Sequence, residues 1–194
     1  MPLLADRDPL PGCPRRILVA GTSGSGKTVL AHRIGGLMQV PHIEIDALFH
    51  GPNWTPRPAF EDDVRRFVAQ TAWVTEWQYS QVRAQVAARA ELLVWLDLRR
   101  WRVMEQVGRR TLRRRLSREV LWNGNIEPPL RTIFTDPEHI VRWAWSTHRK
   151  NATRVVALQK ERGDLPVVRL TSRSAVERWV AGPLQEAAAR CKPC

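Results

Sequence analysis

Cysteine is scarce in this chain, and the three present, Cys13, Cys191 and Cys194, all lie near its ends. That leaves no disulfide framework and no four-ligand zinc site to expect from this chain alone. Cys191-Lys192-Pro193-Cys194 has the spacing of a redox pair, but its place in a tail rather than at a helix N-terminus argues against redox chemistry. No run approaches the ~20 apolar residues that cross a bilayer. Residues 1–14, rich in proline and carrying Asp6 and Asp8, lack the apolar core of a signal peptide. The expectation is a soluble, cytoplasmic protein with no membrane partner. Acidic residues are also few, 19 against 31 Lys+Arg for a net charge of +12, and nearly all the cations are arginine. An anionic partner is implied, but charge does not separate a polyphosphate pocket from a nucleic-acid surface or from a genome that favours arginine codons. No Asn-Lys-x-Asp guanine-specificity motif occurs, and no candidate strand ends in the adjacent Asp-Glu pair of motor-type ATPases.

What the chain does have is Gly21-Thr22-Ser23-Gly24-Ser25-Gly26-Lys27-Thr28, a full match to the phosphate-loop pattern G-x-x-x-x-G-K-[ST]. Glycines at 21, 24 and 26 let the backbone turn tightly and aim its N–H groups inward, where they and the following helix N-terminus meet phosphate oxygens. Lys27 would reach the β- and γ-phosphates, and Thr28 would ligate Mg²⁺. The flanks agree: Arg15 to Ala20 reads as a short buried strand, and Leu30, Ile34, Leu37 and Met38 form one helix face. The partner this implies is a nucleoside triphosphate, with ATP and Mg²⁺ as cofactors.

With 194 residues and 43% hydrophobic content, the chain suits one compact domain. A flexible N-terminal segment is expected over 1–14, a single domain over 15–183 and a tail over 184–194. His42 to Ile45 reads as a short second strand that puts Asp46 at its C-terminal end, the edge where open α/β sheets bind ligands. A Pro/Gly-rich loop at 50–58 precedes an amphipathic helix marked by Phe60, Val64, Phe67 and Val68. Trp73 to Glu76 reads as a third strand, again with a carboxylate at its end, followed by a weak helix over 81–90. The run Leu92 to Leu96 suits a strand buried on both faces, closed by Asp97. From Arg99 to Arg118 the pattern is a strongly basic helix. Asn123-Gly124 marks a turn, and Asp136-Pro137 caps a long helix. Val167 to Leu170 is the last strand, Ser174 to Glu177 reads as a capping box, and Gly182-Pro183 interrupts the final helix. Strands alternating with helices argue for a three-layer α/β/α fold on a parallel sheet.

At this point the residues resemble the adenylate-kinase-related P-loop nucleotide-kinase-like proteins, including those labelled DNA topology modulation proteins. The likeness rests on GTSGSGKT, on Ile45-Asp46 followed by Asn53-Trp54-Thr55-Pro56, and on TEWQY at 75–79. It continues through LVWLDL at 93–98, the Arg-rich helix, LWNGN at 121–125 and the basic helix at 143–150. It implies ATP-dependent phosphoryl transfer on a five-stranded parallel sheet of order 2-3-1-4-5, with an acceptor flap near 47–70 and an Arg-rich lid near 105–130. The chain departs from relatives after the third strand, where Asp-Gly gives way to Glu76-Trp77.

The candidate catalytic residues are Lys27, Asp46, Glu76, Arg109 and Arg113. Asp46 could orient or deprotonate an acceptor hydroxyl, hold Mg²⁺ through water, or only cap a turn. Glu76 is read as holding a Mg²⁺-bound water. Arg109 and Arg113, or alternatively Arg110 and Arg114, stand at i,i+4 and could close over a transferring phosphoryl group. Asp97 and Arg149 are weaker candidates, Trp54 and Trp77 could stack on a base or sugar, and His32 reads as surface or packing. The leading expectation is a kinase acting on a nucleotide, nucleoside or similar small acceptor. A nucleic-acid-associated ATPase or polynucleotide kinase, or a nucleotide-binding regulator with weak catalysis, stand as alternatives.

Overall fold

A computed structural model describes the backbone of residues 3–117, 124–125 and 140–191, and the side chains of all these except 114–117 and 140–149. The strands are β1 (Leu3–Leu4), β2 (Arg16–Gly21), β3 (His42–Ile43), β4 (Trp73–Glu76), β5 (Leu92–Leu96) and β6 (Val167–Leu170). They form one parallel sheet in the order β1-β6-β5-β2-β4-β3. Leaving out edge strand β1, the remaining five strands have the expected order.

Helices α1 (Lys27–Met38), α2 (Ile45–Phe49), α3 (Phe60–Val68), α4 (Ser80–Arg89), α5 (Arg100–Ser117), α6 (Ile140–Glu161), α7 (Arg173–Trp179) and α8 (Gln185–Arg190) complete the described chain. The period-2 pleat sorts each strand's side chains between two apolar layers. Ile17, Val19, Leu92, Val94 and Leu96 pack with α1, α7 and α8 on one face, together with Val103 and Val107 of α5. Leu18, Ala20, Leu93 and Trp95 pack with α3, α4 and α6 on the other. Both faces of β2 and β5 are therefore covered, which is why these strands read as unbroken apolar runs. Among the described residues, no helix is long and apolar enough to cross a membrane.

Several elements differ from the sequence reading. Within the segment 1–14, expected as flexible, Leu3–Leu4 form β1 on β6 and Leu10 is buried in the core. Cys13 bonds to Cys191 across a Cα–Cα distance of 5.5 Å. Two cysteines 178 residues apart meet because both chain ends pack on the same face of the sheet. The expected tail contains α8, with Ala187 and Ala188 in the core; a single π-helical turn over Val180–Leu184 carries the chain into it past Pro183. The cap of α7 is Ser172, whose Oγ accepts from the Ala175 N–H at 3.1 Å, in place of Ser174.

The second strand ends at Ile43, so Asp46 lies in the first turn of α2 instead of at a strand end. The reason is local. The Ile45 N–H, which would have extended the ladder, donates to Glu76 Oε2 at 3.2 Å, and Thr75 Oγ1 donates to the Ile43 carbonyl at 2.7 Å.

Leu93 is fully buried on the central strand β5. Leu93→Ala is expected to destabilise the protein by about 2–5 kcal/mol, transfer and cavity costs together, as a urea titration of variant against wild type would show.

Candidate active site

The loop after β2 is shaped by contacts as much as by glycine freedom. Its turn closes with Ser25 N–H donating to the Thr22 carbonyl at 3.0 Å. Gly26 takes the left-handed conformation (φ 95°, ψ 21°) as the cap of α1, directing the first turn of that helix at the loop's concavity. At Gly24 (φ 80°) a Cβ would stand 2.0 Å from Val107 Cγ2, so the middle of α5 is seated against the bare backbone of the loop. From α6, Asn151 Nδ2 donates to Thr22 Oγ1 at 3.2 Å.

Lys27 is the charge at the centre. Only 8% of the residue is exposed, and its Nζ makes a long hydrogen bond of 3.3 Å to the Thr22 carbonyl. Burial pulls its pKa below the ordinary lysine value; Asp46 and Glu76 oppose that pull, and Arg110 adds to it. A buried lysine beside a left-handed glycine turn that opens the first turn of α1 fits an anionic polyphosphate. The residues that would hold it are Gly21, Thr22, Ser23, Gly24, Ser25, Gly26, Lys27 and Thr28, and the hydroxyl of half-buried Thr28, in the first turn of α1, would be the one to ligate a Mg²⁺ ion.

The two carboxylates that face Lys27 are held in different ways. Glu76 is 1% exposed, with Oε1 3.1 Å from His42 Nε2 and Oε2 accepting the Ile45 N–H. Burial alone would raise its pKa, but the His42 hydrogen bond and charge and the Ile45 amide outweigh burial and hold it below the ordinary carboxylate value. With these partners Glu76 fixes the start of α2, and a metal-bound water would have to share oxygens already engaged. Asp46, one residue into α2, receives Gln78 Nε2 and Tyr79 OH on Oδ1, each at 2.5 Å. Its carboxyl is pushed above the ordinary value because burial outweighs the Tyr79 hydrogen bond and the Lys27 charge, with Glu76 adding to the rise.

The structure therefore brings Lys27, Asp46, Glu76 and the loop together. It does not bring Arg109 or Arg113 to them. The Arg109 guanidinium is 81% exposed and pairs with Glu105 at 2.8 Å, and Arg113 is exposed. Among the described residues of α5, the arginine whose charge reaches Lys27 is Arg110, from the alternative pair. Asp97 is taken up by Arg169 at 2.5 Å. Trp77 is buried under α4 with its indole N–H on the Arg83 carbonyl, so its ring serves the core. Trp54 stays half-buried with its ring 5.1 Å from His50. His32 is an exposed residue of α1, its ring 6.1 Å from that of His42. The side chains of Arg114 and Arg149 lie outside the described residues, as do the lid positions 118–123 and 126–139.

Residues that the sequence reading passed over include His42, His50, Gln78 and Tyr79. The last two sit inside the TEWQY motif, two and three residues after a strand-end carboxylate, and that position was the available signal. Asn125 is another: Oδ1 accepts from the Trp54 N–H at 3.0 Å and Nδ2 donates to the Gly51 carbonyl at 2.9 Å, clasping the loop after α2.

No family model and no curated protein matches the chain. Among solved structures, it is similar to a gluconokinase from Sinorhizobium meliloti 1021, with a TM-score of 0.52 and 19% identity over 93% of this chain and 94% of that one. It is also similar to a shikimate kinase from Bacteroides thetaiotaomicron, with a TM-score of 0.50 and 17% identity over 89% of this chain and 97% of that one. These likenesses show the fold, a three-layer α/β/α arrangement of the P-loop kinase-like kind.

Two stability outcomes follow from the geometry. Gly24→Ala meets both Val107 and a backbone that L-residues rarely adopt, and is expected to cost on the order of 1–3 kcal/mol in chemical denaturation. Asp46→Asn should move the other way. A carboxyl whose folded pKa is raised loses stability as pH rises from its unfolded value through its folded one, so the ionised group weakens the fold at neutral pH. Asparagine keeps an oxygen for Tyr79 and Gln78, and the variant is expected to melt no lower than wild type at pH 7. Its advantage should disappear below about pH 4, where the wild-type carboxyl is protonated in both states; scanning calorimetry at the two pH values checks this.

Proposed function

We propose that this protein is a kinase that transfers the γ-phosphoryl group of Mg·ATP to a hydroxyl group of a small acceptor. The observation that carries the reading is the half-buried Asp46 carboxylate, facing Lys27 across the loop and fixed on one oxygen by Gln78 and Tyr79. A phosphate acceptor arrives already ionised and is repelled by a carboxylate at that place. A hydroxyl acceptor donates a hydrogen bond to the carboxylate and needs somewhere to leave its proton. Of the acceptors the sequence holds open, nucleosides and other small hydroxylated compounds are therefore favoured over nucleotides accepting through phosphate. The names of the two similar solved structures, a gluconokinase and a shikimate kinase, support a small-molecule acceptor.

In this reading the loop amides and Lys27 hold the β- and γ-phosphates, and Thr28 holds the metal ion, which supplies charge neutralisation on the phosphate oxygens. Asp46 orients the acceptor hydroxyl. The acceptor's hydroxyl oxygen bonds to the γ-phosphorus as the bond from that phosphorus to the bridging oxygen breaks; ADP leaves and the acceptor proton passes to Asp46. Arg110 is the described lid-helix arginine best placed to balance charge near the transferring group, in preference to Arg109 or Arg113. We also assign the chain, by resemblance of its motifs, to the adenylate-kinase-related subgroup that includes the DNA topology modulation proteins. The Asn125 clasp on the Gly51–Trp54 loop gives two of those motifs a shared structural purpose.

The test is ADP release from Mg·ATP across a panel of nucleosides, small polyols, nucleoside monophosphates and 5′-hydroxyl oligonucleotides. A hydroxyl acceptor should stimulate release, Lys27→Ala should abolish it, and Asp46→Asn should lower kcat by about 10²–10⁴-fold. The acid limb of the kcat/KM profile should lie above the ordinary carboxylate range, because the base must be ionised and burial raises its pKa. Stimulation by monophosphates alone, or only by oligonucleotides, would sink the small-hydroxyl reading.

A further inference from the structure

Tyr79 is the one tyrosine of the chain, and its backbone sits at φ 59°, ψ 110°, a left-handed region that strains a residue with a β-carbon. Its position at the start of α4 does not account for the strain, because its side chain makes no capping hydrogen bond to that helix. The side chain instead turns back over α2. The ring stacks on Phe49 with centroids 4.1 Å apart and meets Phe60 edge-on at 5.3 Å, and the hydroxyl lies 2.5 Å from Asp46 Oδ1 and 3.2 Å from His50 Nε2.

A phenol has one proton to give. The shorter contact, to a carboxylate oxygen, takes it, so His50 Nε2 is the donor to the phenol oxygen. Gln78 adds a second donor on the same Asp46 oxygen. Both donors converge on Oδ1, which fixes the plane of the carboxylate and leaves Oδ2 as the oxygen they do not occupy. A base held this way cannot rotate its acceptor lone pairs away from the substrate.

We propose that Tyr79 is the positioning residue for Asp46: its hydroxyl, oriented by His50, and the Gln78 amide anchor Oδ1 so that Oδ2 faces the acceptor hydroxyl. This rests on the reading of Asp46 as the base. The strained backbone is then the cost of delivering a phenol from the start of α4 to the first turn of α2, and it is absorbed by the Phe49 and Phe60 packing.

The experiment uses [¹³Cζ]-tyrosine, which gives a single resonance because the chain has a single tyrosine, read together with steady-state kinetics. Asp46→Ala is expected to shift that resonance, since the phenol loses a charged acceptor. Tyr79→Phe keeps the ring packing and is expected to lower kcat about 10- to 100-fold with the KM for Mg·ATP unchanged. Combining Tyr79→Phe with Asp46→Ala should cost no more than Asp46→Ala alone. A resonance indifferent to Asp46→Ala, or a Tyr79→Phe enzyme with wild-type kcat, overturns the inference while leaving the kinase reading standing. A wild-type chain that phosphorylates no hydroxyl acceptor overturns the kinase reading itself and the catalytic role of Tyr79 with it, whatever the resonance shows.

Discussion

A single amine, that of Lys27, is withdrawn from water at the end of the central strand, and much of the local architecture is arranged around the carboxylates that favour its ammonium form against burial. Removing an isolated cation from water is too costly to persist without opposite charge nearby. Glu76 and Asp46 supply that charge, but each must itself be stabilised. Glu76 does so by taking the Ile45 amide, which stops β3 after two residues and starts α2. Starting α2 there sets Asp46 in its first turn, where Gln78 and Tyr79 can reach it. The short strand, the short helix and the bent entry to α4 are linked consequences of one buried charge.

The parts of this arrangement that were legible in the sequence are those written in short-range pattern. The phosphate loop is contiguous, and the runs at 17–20 and 92–96 announce strands covered on both faces. Tertiary override hid the rest. The alternation in His42-Ile43-Glu44-Ile45 suits a strand, yet a carboxylate from 31 residues away captures the fourth amide. Ser172 and Ser174 are both plausible caps, and only the direction of the chain leaving β6 chooses between them. The helical period correctly makes Arg109 and Arg113 neighbours, but it carries no phase: the buried face of α5 is set by Val103, Val107 and Thr111, which turns Arg109 outward and Arg110 toward the loop. Tyr79 lies close behind a strand-end carboxylate, which marks the place, but its reach back to Asp46 depends on a positive-φ backbone that propensity disfavours.

The excess of arginine divides by location once the structure is in view. Some guanidiniums act as surface fasteners between elements distant in sequence, as Arg33 does to Glu177, Arg178 to Asp6 and Arg169 to Asp97. Such exposed pairs contribute little stability each. Others, such as Arg57 with the Leu48 carbonyl and Asp63, hold the loop after α2 against α3. Net charge is thus a poor guide to the partner here, whereas the placement of two carboxylates around one lysine is a specific one.

The bond between Cys13 and Cys191 closes almost the whole chain into a covalent ring, leaving β1 outside it as a short strap on the sheet edge. Tension applied on either side of the two cysteines is consequently carried through sulfur and, once β1 is drawn off β6, bypasses the other five strands, the loop and the site. Under oxidising conditions a stretched molecule can lengthen only by peeling the few residues beyond the two cysteines, and the ring becomes mechanically extensible only after reduction.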